Sequence, residues 1–315
     1  MIDRLIQKIM KTENPTVVGL DPTLSIIPDF IRNDAIERHG KTPEAAGHML
    51  LAFNKAIIDQ IYDLIPAVKL QIAMYEMYGY LGIKAYLETI GYAKTKGLLV
   101  IGDIKRGDIS STAEAYAAHI GGIEIEGVFT DVWQEDAVTL NPYLGYDSIA
   151  PFIKVCSQKD RGLFILVKTS NPSSVELQDL IASGQPLYRH TARLVSSWGL
   201  QAMGEGKYSK VGAVVGATFS EQAAELRKCM PHTFFLVPGY GAQGGRAKDL
   251  KGLADKEGMG FIVNSSRGII AAHRQEGRSG KKQAGFAEKE FALAARQAVL
   301  TMRKDLAAVF GTCHV

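Results

Sequence analysis

The segment Asp103-Ile104-Lys105-Arg106-Gly107-Asp108 gathers two carboxylates and an ammonium group within six residues, while Lys69 and Asp21 stand at the ends of two other apolar runs. On an extended chain Asp103 and Lys105 point to the same face, and Asp108 follows within a turn. Any one of these charges would be costly to bury alone, and alternating signs offset that cost. Such a cluster is either a structural salt-bridge network or a preorganised field. In the second case a fixed ammonium lies where negative charge develops, and the carboxylates keep the lysines charged and placed. Asp103 with Asp108 also makes a carboxylate pair of the kind that binds Mg²⁺, although lysines beside aspartates compete with a cation.

Two glycine-containing turns carry a different chemistry. Pro238-Gly239-Tyr240-Gly241-Ala242-Gln243-Gly244-Gly245 and Ser265-Ser266-Arg267-Gly268 each follow an apolar run. Glycines let a backbone approach a ligand closely, the Arg267 fork matches phosphate oxygens, and Gln243 has an amide to donate. Together they suggest a phosphorylated substrate. Thr169-Ser170, before Pro172, offers hydroxyls for the edge of a polar ring, or simply a Ser/Thr turn. The seven histidines show no close pair with metal-ligand spacing, and no Gly-x-Ser-x-Gly or Cys–His nucleophile signature is present.

The elements that must position these residues are eight short apolar runs, at 16–21, 67–71, 98–105, 137–141, 163–169, 211–218, 234–239 and 260–265. None alternates cleanly, as expected of parallel strands covered on both faces. Between them lie stretches of helical period at 45–64, 82–96 and 186–203, with a Ser220-Glu221-Gln222 turn suited to cap another helix. A final helix is expected at about 286–310. This alternation predicts a (β/α)₈ TIM barrel with an N-terminal helix and extra loops, an open doubly wound sheet being the rival. No linker divides the 315 residues, so one domain is expected, with a core of about 16–268. The segment 121–135 reads as extra helix and loop, and the basic stretch 273–285 as a surface loop or a lid. In such barrels the active site forms at the C-terminal strand ends, where every residue named above falls.

A net charge of +3, from 36 basic and 33 acidic residues, is too weak to argue for nucleic acid or membrane partners. Three cysteines, Cys156, Cys229 and Cys313, without a Cys-x-x-Cys spacing, suggest buried thiols in a reducing, cytoplasmic compartment. Ile2, Leu5, Ile6, Ile9 and Met10 fall at helical spacing, but charges interrupt them, so the segment reads as an amphipathic helix packed on the body rather than a secretory signal.

On these motifs the chain resembles orotidine 5′-phosphate decarboxylase. Asp-x-Lys-x-x-Asp stands within LLVIGDIKRGDISSTAEAY, and GLDPT, AVKLQ, LVKTSNP, PGYGAQGG and SSRG follow the family's order. The match runs from about residue 16 to 268, and the length looks like the long bacterial, or type 2, branch. The resemblance implies cofactor-free and metal-free conversion of orotidine 5′-phosphate to UMP and CO₂ in de novo pyrimidine biosynthesis. It implies that Asp21 and Lys69 bind ribose hydroxyls, Asp103 faces the leaving carboxylate, and Lys105 protonates C6. Asp108, Ile109 and Thr112 would reach into the active site of the other subunit of a homodimer. Ser170 would contact the pyrimidine edge and Gln243 and Arg267 the phosphate, with Pro238 and Ser266 also among the substrate-binding residues. Two alternatives stand beside this reading. One is a Mg²⁺-dependent sugar-phosphate decarboxylase or synthase on the same barrel, which Lys69 opposes because those relatives carry an acidic metal ligand there. The other is a non-catalytic protein that binds a nucleotide phosphate.

Overall fold

The computed structural model describes residues 1–241, 244–274 and 288–311. Eight parallel strands close into a barrel: β1 (Thr16–Gly19), β2 (Ala67–Gln71), β3 (Leu99–Arg106), β4 (Ala137–Leu140), β5 (Gly162–Lys168), β6 (Val211–Val215), β7 (Phe235–Val237) and β8 (Phe261–Ser265). Each pairs with its neighbours in sequence, and β1 closes the ring on β8. All eight apolar runs are therefore barrel strands, and the open-sheet rival is excluded.

The missing alternation has a direct cause, because both faces of the strands are apolar and bury in separate cores. Inside the barrel Val17, Leu99, Ile101, Phe164, Phe234 and Ile262 pack together. Outside, the intervening residues, such as Val18, Val68, Val100 and Val138, pack under the helices. The inner core is completed by α1 (Ile2–Thr12), whose Ile2, Leu5 and Ile9 plug the N-terminal mouth as the helical spacing predicted. Gly162 leaves room for this plug, since a Cβ there would stand 2.4 Å from Met1 Cε. Arg4 fastens α1 to the loops before β4 and β5 through Asp136 (3.1 Å) and Asp160 (2.5 Å).

The outer layer contains α2 (Asp29–His39), α3 (Pro43–Ile61), α4 (Gly79–Thr95), α5 (Ser110–Gly121), α6 (Ala150–Gln158), α7 (Leu187–Gly199), α8 (Ser220–Cys229) and α9 (Phe291–Phe310). Helix α2 went unseen in the sequence, since it has only one buried residue, Ala35, and hence no apolar stripe to betray it. The N-cap position of α8 is Phe219 rather than a residue of the Ser220 turn. In 121–135 the expected extra helix is instead an antiparallel hairpin, Ile123–Ile125 with Val128–Thr130. Gly122 and Gly127, at φ 72° and 81°, bracket its first strand and adopt a backbone conformation that favours glycine. The last helix, α9, packs on α3 and pairs Arg296 with Asp63 at 2.6 Å. Of the basic stretch 273–285, only His273 and Arg274 fall within the described residues. Cys313 and Gln243 lie outside them. Among the described residues no helix is long and apolar enough to cross a membrane.

Phe164 fills the barrel axis, and Gly212 on β6 makes room for its ring, a Cβ there coming within 2.6 Å. Phe164→Ala should lower the unfolding free energy by about 3–5 kcal/mol, read as a fall in the urea midpoint. A midpoint within error of the parent would contradict the packed interior.

Candidate active site

The C-terminal ends of β2 to β8 surround a cavity of about 410 Å³, lined by Lys69, Asp103, Lys105, Thr139, Ser170 and Pro238 among others. At its floor the Asp103 carboxylate receives four donors, two on each oxygen. Oδ2 accepts from Lys69 Nζ at 2.7 Å and from Gln71 Nε2 at 3.1 Å. Oδ1 accepts from the Thr139 hydroxyl at 2.8 Å and from Lys105 Nζ in a short contact. Lys69 also stands 3.6 Å from Asp21 Oδ1, so the charges alternate Asp21, Lys69, Asp103, Lys105. Within one chain the second carboxylate of this cluster is thus Asp21. Asp108 makes no ion pair among the described residues, and its Oδ1 accepts from the Ile109 backbone N–H at 2.8 Å.

Two lysines share one carboxylate, but their surroundings differ. The Lys69 side chain is 5% exposed and that of Lys105 43%. Lys69 is therefore locked between carboxylates, and Lys105 is the ammonium with a free side toward the cavity. Burial works against the charged form of Lys69, yet Asp103 and Asp21 outweigh it and hold its pKa above the ordinary lysine value. Burial likewise opposes ionisation of Asp103, but Lys69 and Lys105 overcome it and hold its pKa well below the carboxylate range.

Lys105 adopts φ 47°, in the left-handed region, where β3 and β4 slip register between Gly102 and Arg106. A non-glycine residue held there costs on the order of 1–3 kcal/mol and persists only when its neighbours enforce it. Thr139 is one such neighbour. Its hydroxyl oxygen accepts the Lys105 backbone N–H at 3.1 Å while the same hydroxyl donates to Asp103. Asp103 and Lys105 do reach one cavity as the alternation predicted, but through a bulge rather than a regular strand.

A second cavity of about 310 Å³ adjoins the first at Asn264 and is lined by Asp21, Gly239, Tyr240, Ser266 and Arg267 among others. Arg267 opens a one-turn helix and is exposed, with no ion pair among the described residues. Ser266 Oγ donates to Asp21 Oδ2 at 2.6 Å. Gly19 permits that contact, since a Cβ on it would stand 1.8 Å from Ser266 Oγ. On the other wall, Gln178 Nε2 donates to Thr169 Oγ1 at 2.7 Å while its Oε1 accepts the Thr169 N–H at 2.9 Å, fixing the turn that carries Ser170. Lys168, fully buried, fastens the same loop through Asp179 at 2.6 Å. Ile109 and Thr112, at the start of α5, are exposed and line neither cavity.

The sequence reading missed Gln71, Thr139, Asn264 and Gln178. The first three had a usable signal: Gln71 lies two residues beyond Lys69, Thr139 two beyond the inward Ala137 and Asn264 two beyond the inward Ile262, so strand alternation alone directs them into the barrel. Gln178 ends the one-turn helix Val175–Gln178, which is too short for a periodicity to show.

The family model described as orotidine 5′-phosphate decarboxylase / HUMPS family matches residues 17–281. The chain belongs to this family. A protein from Rhodopirellula baltica named orotidine 5′-phosphate decarboxylase is 45% identical over 269 residues, covering 85% of this chain and 87% of that one. One of the same name from Petrotoga mobilis is 43% identical over 309 residues, covering 97% and 98%. Among solved structures, the Leishmania donovani OMP decarboxylase superposes with a TM-score of 0.68 at 27% identity, covering 96% of this chain and 98% of that one. The near full-length match to bacterial relatives agrees with the long branch that the motifs and loop pattern suggested.

The shifted groups set a pH window. Asp103, with its pKa depressed in the fold, contributes stability that is complete above the unfolded value of about 3.9 and is lost as pH falls through its folded value. Lys69, with its pKa raised, contributes stability that is complete below about 10.4 and is lost as pH rises through its folded value. Asp103→Asn should therefore be less stable than the parent by about 3–5 kcal/mol near neutrality, because it removes the nearer of the two carboxylates that compensate the buried Lys69. That gap should narrow below pH 4. Urea unfolding from pH 7 to 3 measures it, and a gap independent of pH would refute the assignment.

Proposed function

We propose that this protein decarboxylates orotidine 5′-phosphate to UMP and CO₂ in de novo pyrimidine biosynthesis, without metal or cofactor. The observation that carries the reading is the Lys105 ammonium, braced on Asp103 and open to a cavity that adjoins Arg267. Breaking the bond between C6 and the carboxylate leaves the electron pair in an sp² orbital with little resonance relief. The pair must be stabilised by a fixed positive charge, which acts most strongly where water is excluded. Lys105 supplies that charge and then passes a proton from Nζ to C6, regaining it from solvent. Asp103, saturated by four donors, orients Lys105 and faces the departing carboxylate. Asp21 and Lys69 hold the ribose hydroxyls, Ser170 and Pro238 flank the pyrimidine, and Arg267 with Gln243 holds the phosphate. Ser266 acts through Asp21, to which its hydroxyl is bonded. The same arrangement disfavours the Mg²⁺-dependent alternative, because a cation at Asp103 would have to displace two ammonium groups.

We further propose a homodimer with shared active sites. Asp108, Ile109 and Thr112 stand outside their own chain's cavity, and Ile109, after β3, and Tyr143 and Leu144, after β4, are exposed apolar residues at the same end of the barrel. An apolar surface of this kind marks an association site. Location in the cytoplasm fits the described cysteines, Cys156 and Cys229, which are free thiols.

Loss of orotidine 5′-phosphate should proceed equally with and without EDTA, and Lys105→Ala should lower kcat by at least about 10⁴-fold while the fold persists. Activity abolished by the chelator, or near-normal turnover in the variant, would count against the reading. Arg267→Ala should weaken UMP binding by about 10- to 100-fold through loss of a charge-assisted contact, and unchanged affinity in a titration would remove it from the phosphate site. Mixing inactive Asp108→Ala and Lys105→Ala chains should restore about a quarter of parental activity, since half the dimers are mixed and each rebuilds one intact site. Confirmed mixed dimers without activity would rule out sharing.

A further inference from the structure

On the outside of the barrel, sharing no residue with either cavity of the active site, α2 ends and α3 begins around a tight turn. Thr42 fixes that turn, its hydroxyl donating to His39 O at 2.9 Å and accepting the Ala45 N–H at 3.3 Å. Gly40, at φ 66°, lets the chain reverse. Glu44 and His48 are four residues apart on α3 and so share one face of the first turns. The reversal brings His39, from the last turn of α2, onto that face. The rings of His39 and His48 stack with centroids 4.1 Å apart and planes within 7°. His39 Nδ1 stands 3.5 Å from Glu44 Oε1, and one ligand atom from each of the three residues lies within 4.8 Å of the others.

We propose that His39, Glu44 and His48 form a surface site for one divalent cation of the zinc class. Two imidazoles and one carboxylate are a borderline-soft donor set of the type that holds Zn²⁺ with a fourth position open. Mg²⁺ and Ca²⁺, which take oxygen ligands, suit it poorly. A tetrahedral ion with bonds of about 2.0–2.1 Å needs ligand atoms about 3.4 Å apart. The His39–Glu44 pair already meets that spacing. The widest separation closes by little more than an ångström, which rotation of side chains at the surface supplies as the ring stack opens. Beside the cluster, between α3 and α4, is a cavity of about 100 Å³ lined by Glu44, His48, Lys84 and Glu88. Glu88, on the wall of that cavity, pairs with Lys84 at 3.9 Å, an exposed pair worth little. A bound ion would clip the end of α2 to the start of α3. Because imidazole binds metal only when neutral, uptake should weaken as pH falls.

The test is titration calorimetry of the untagged full-length protein with ZnCl₂ alone, beside His48→Ala, His39→Gln and Glu44→Gln. One equivalent of Zn²⁺ should bind, at least tenfold more weakly in each variant, while MgCl₂ gives no heat at the same concentrations. Co²⁺ should give visible bands of tetrahedral intensity that are lost in His48→Ala, a readout independent of stability. Circular dichroism of the metal-free variants checks that they fold. No Zn²⁺ binding to the parent at 0.1 mM, or binding unchanged in all three variants and therefore held elsewhere, would overturn the site. Neither result bears on decarboxylation, which the chelator assay tests separately.

Discussion

One carboxylate, Asp103, organises the catalytic end of the molecule. It accepts from two ammonium groups, one amide and one hydroxyl, drawn from β2, β3 and β4. Nearly out of contact with water, it would be unaffordable as a lone charge, and its partners would be equally costly without it. The cluster thus exists only as a whole. Its asymmetry separates the two lysines: Lys69 is enclosed between Asp21 and Asp103, whereas Lys105 keeps one side open to the cavity. A fixed positive charge at the edge of a pocket, already oriented before substrate arrives, needs no reorganisation as negative charge develops beside it.

The barrel provides the rigidity this arrangement requires. Its interior is packed with Phe164, Phe234 and Leu236 beneath the charged layer, and α1 seals the opposite mouth. Stiffness below allows irregularity above. The bulge that places Lys105 at a positive φ is held by the Thr139 hydroxyl, which also fixes Asp103. Thr139 therefore ties the backbone of one charged residue to the side chain of the other, a coupling that neither partner alone reveals.

Much of this was legible in the residues. The eight apolar runs, their lack of alternation and the helical stretches between them follow from burial on two faces. Asp103 and Lys105 share a face because side chains alternate along a strand. Lys69 and Asp21 were found because they end neighbouring runs. Helix α2 and the hairpin within 121–135 were not found, because α2 buries almost nothing and the hairpin's strands are only three residues long. The spacing of the seven histidines gave no metal signal, because His39 and His48 belong to different helices and meet only after the chain reverses at Gly40.

By itself, then, the sequence determined the barrel, its strand ends and the set of charges gathered there, since these follow from local periodicity and from the order of elements along the chain. Only the tertiary structure decided which charges touch. It put Asp21 rather than Asp108 in contact with Lys69, left Asp108, Ile109 and Thr112 outside their own cavity, and joined the two cavities at Asn264. Those outcomes depend on the closure of β1 against β2 and β8 and on a bulge in β3. Distances across a closed sheet are set by register between segments remote in sequence, and no local pattern encodes them.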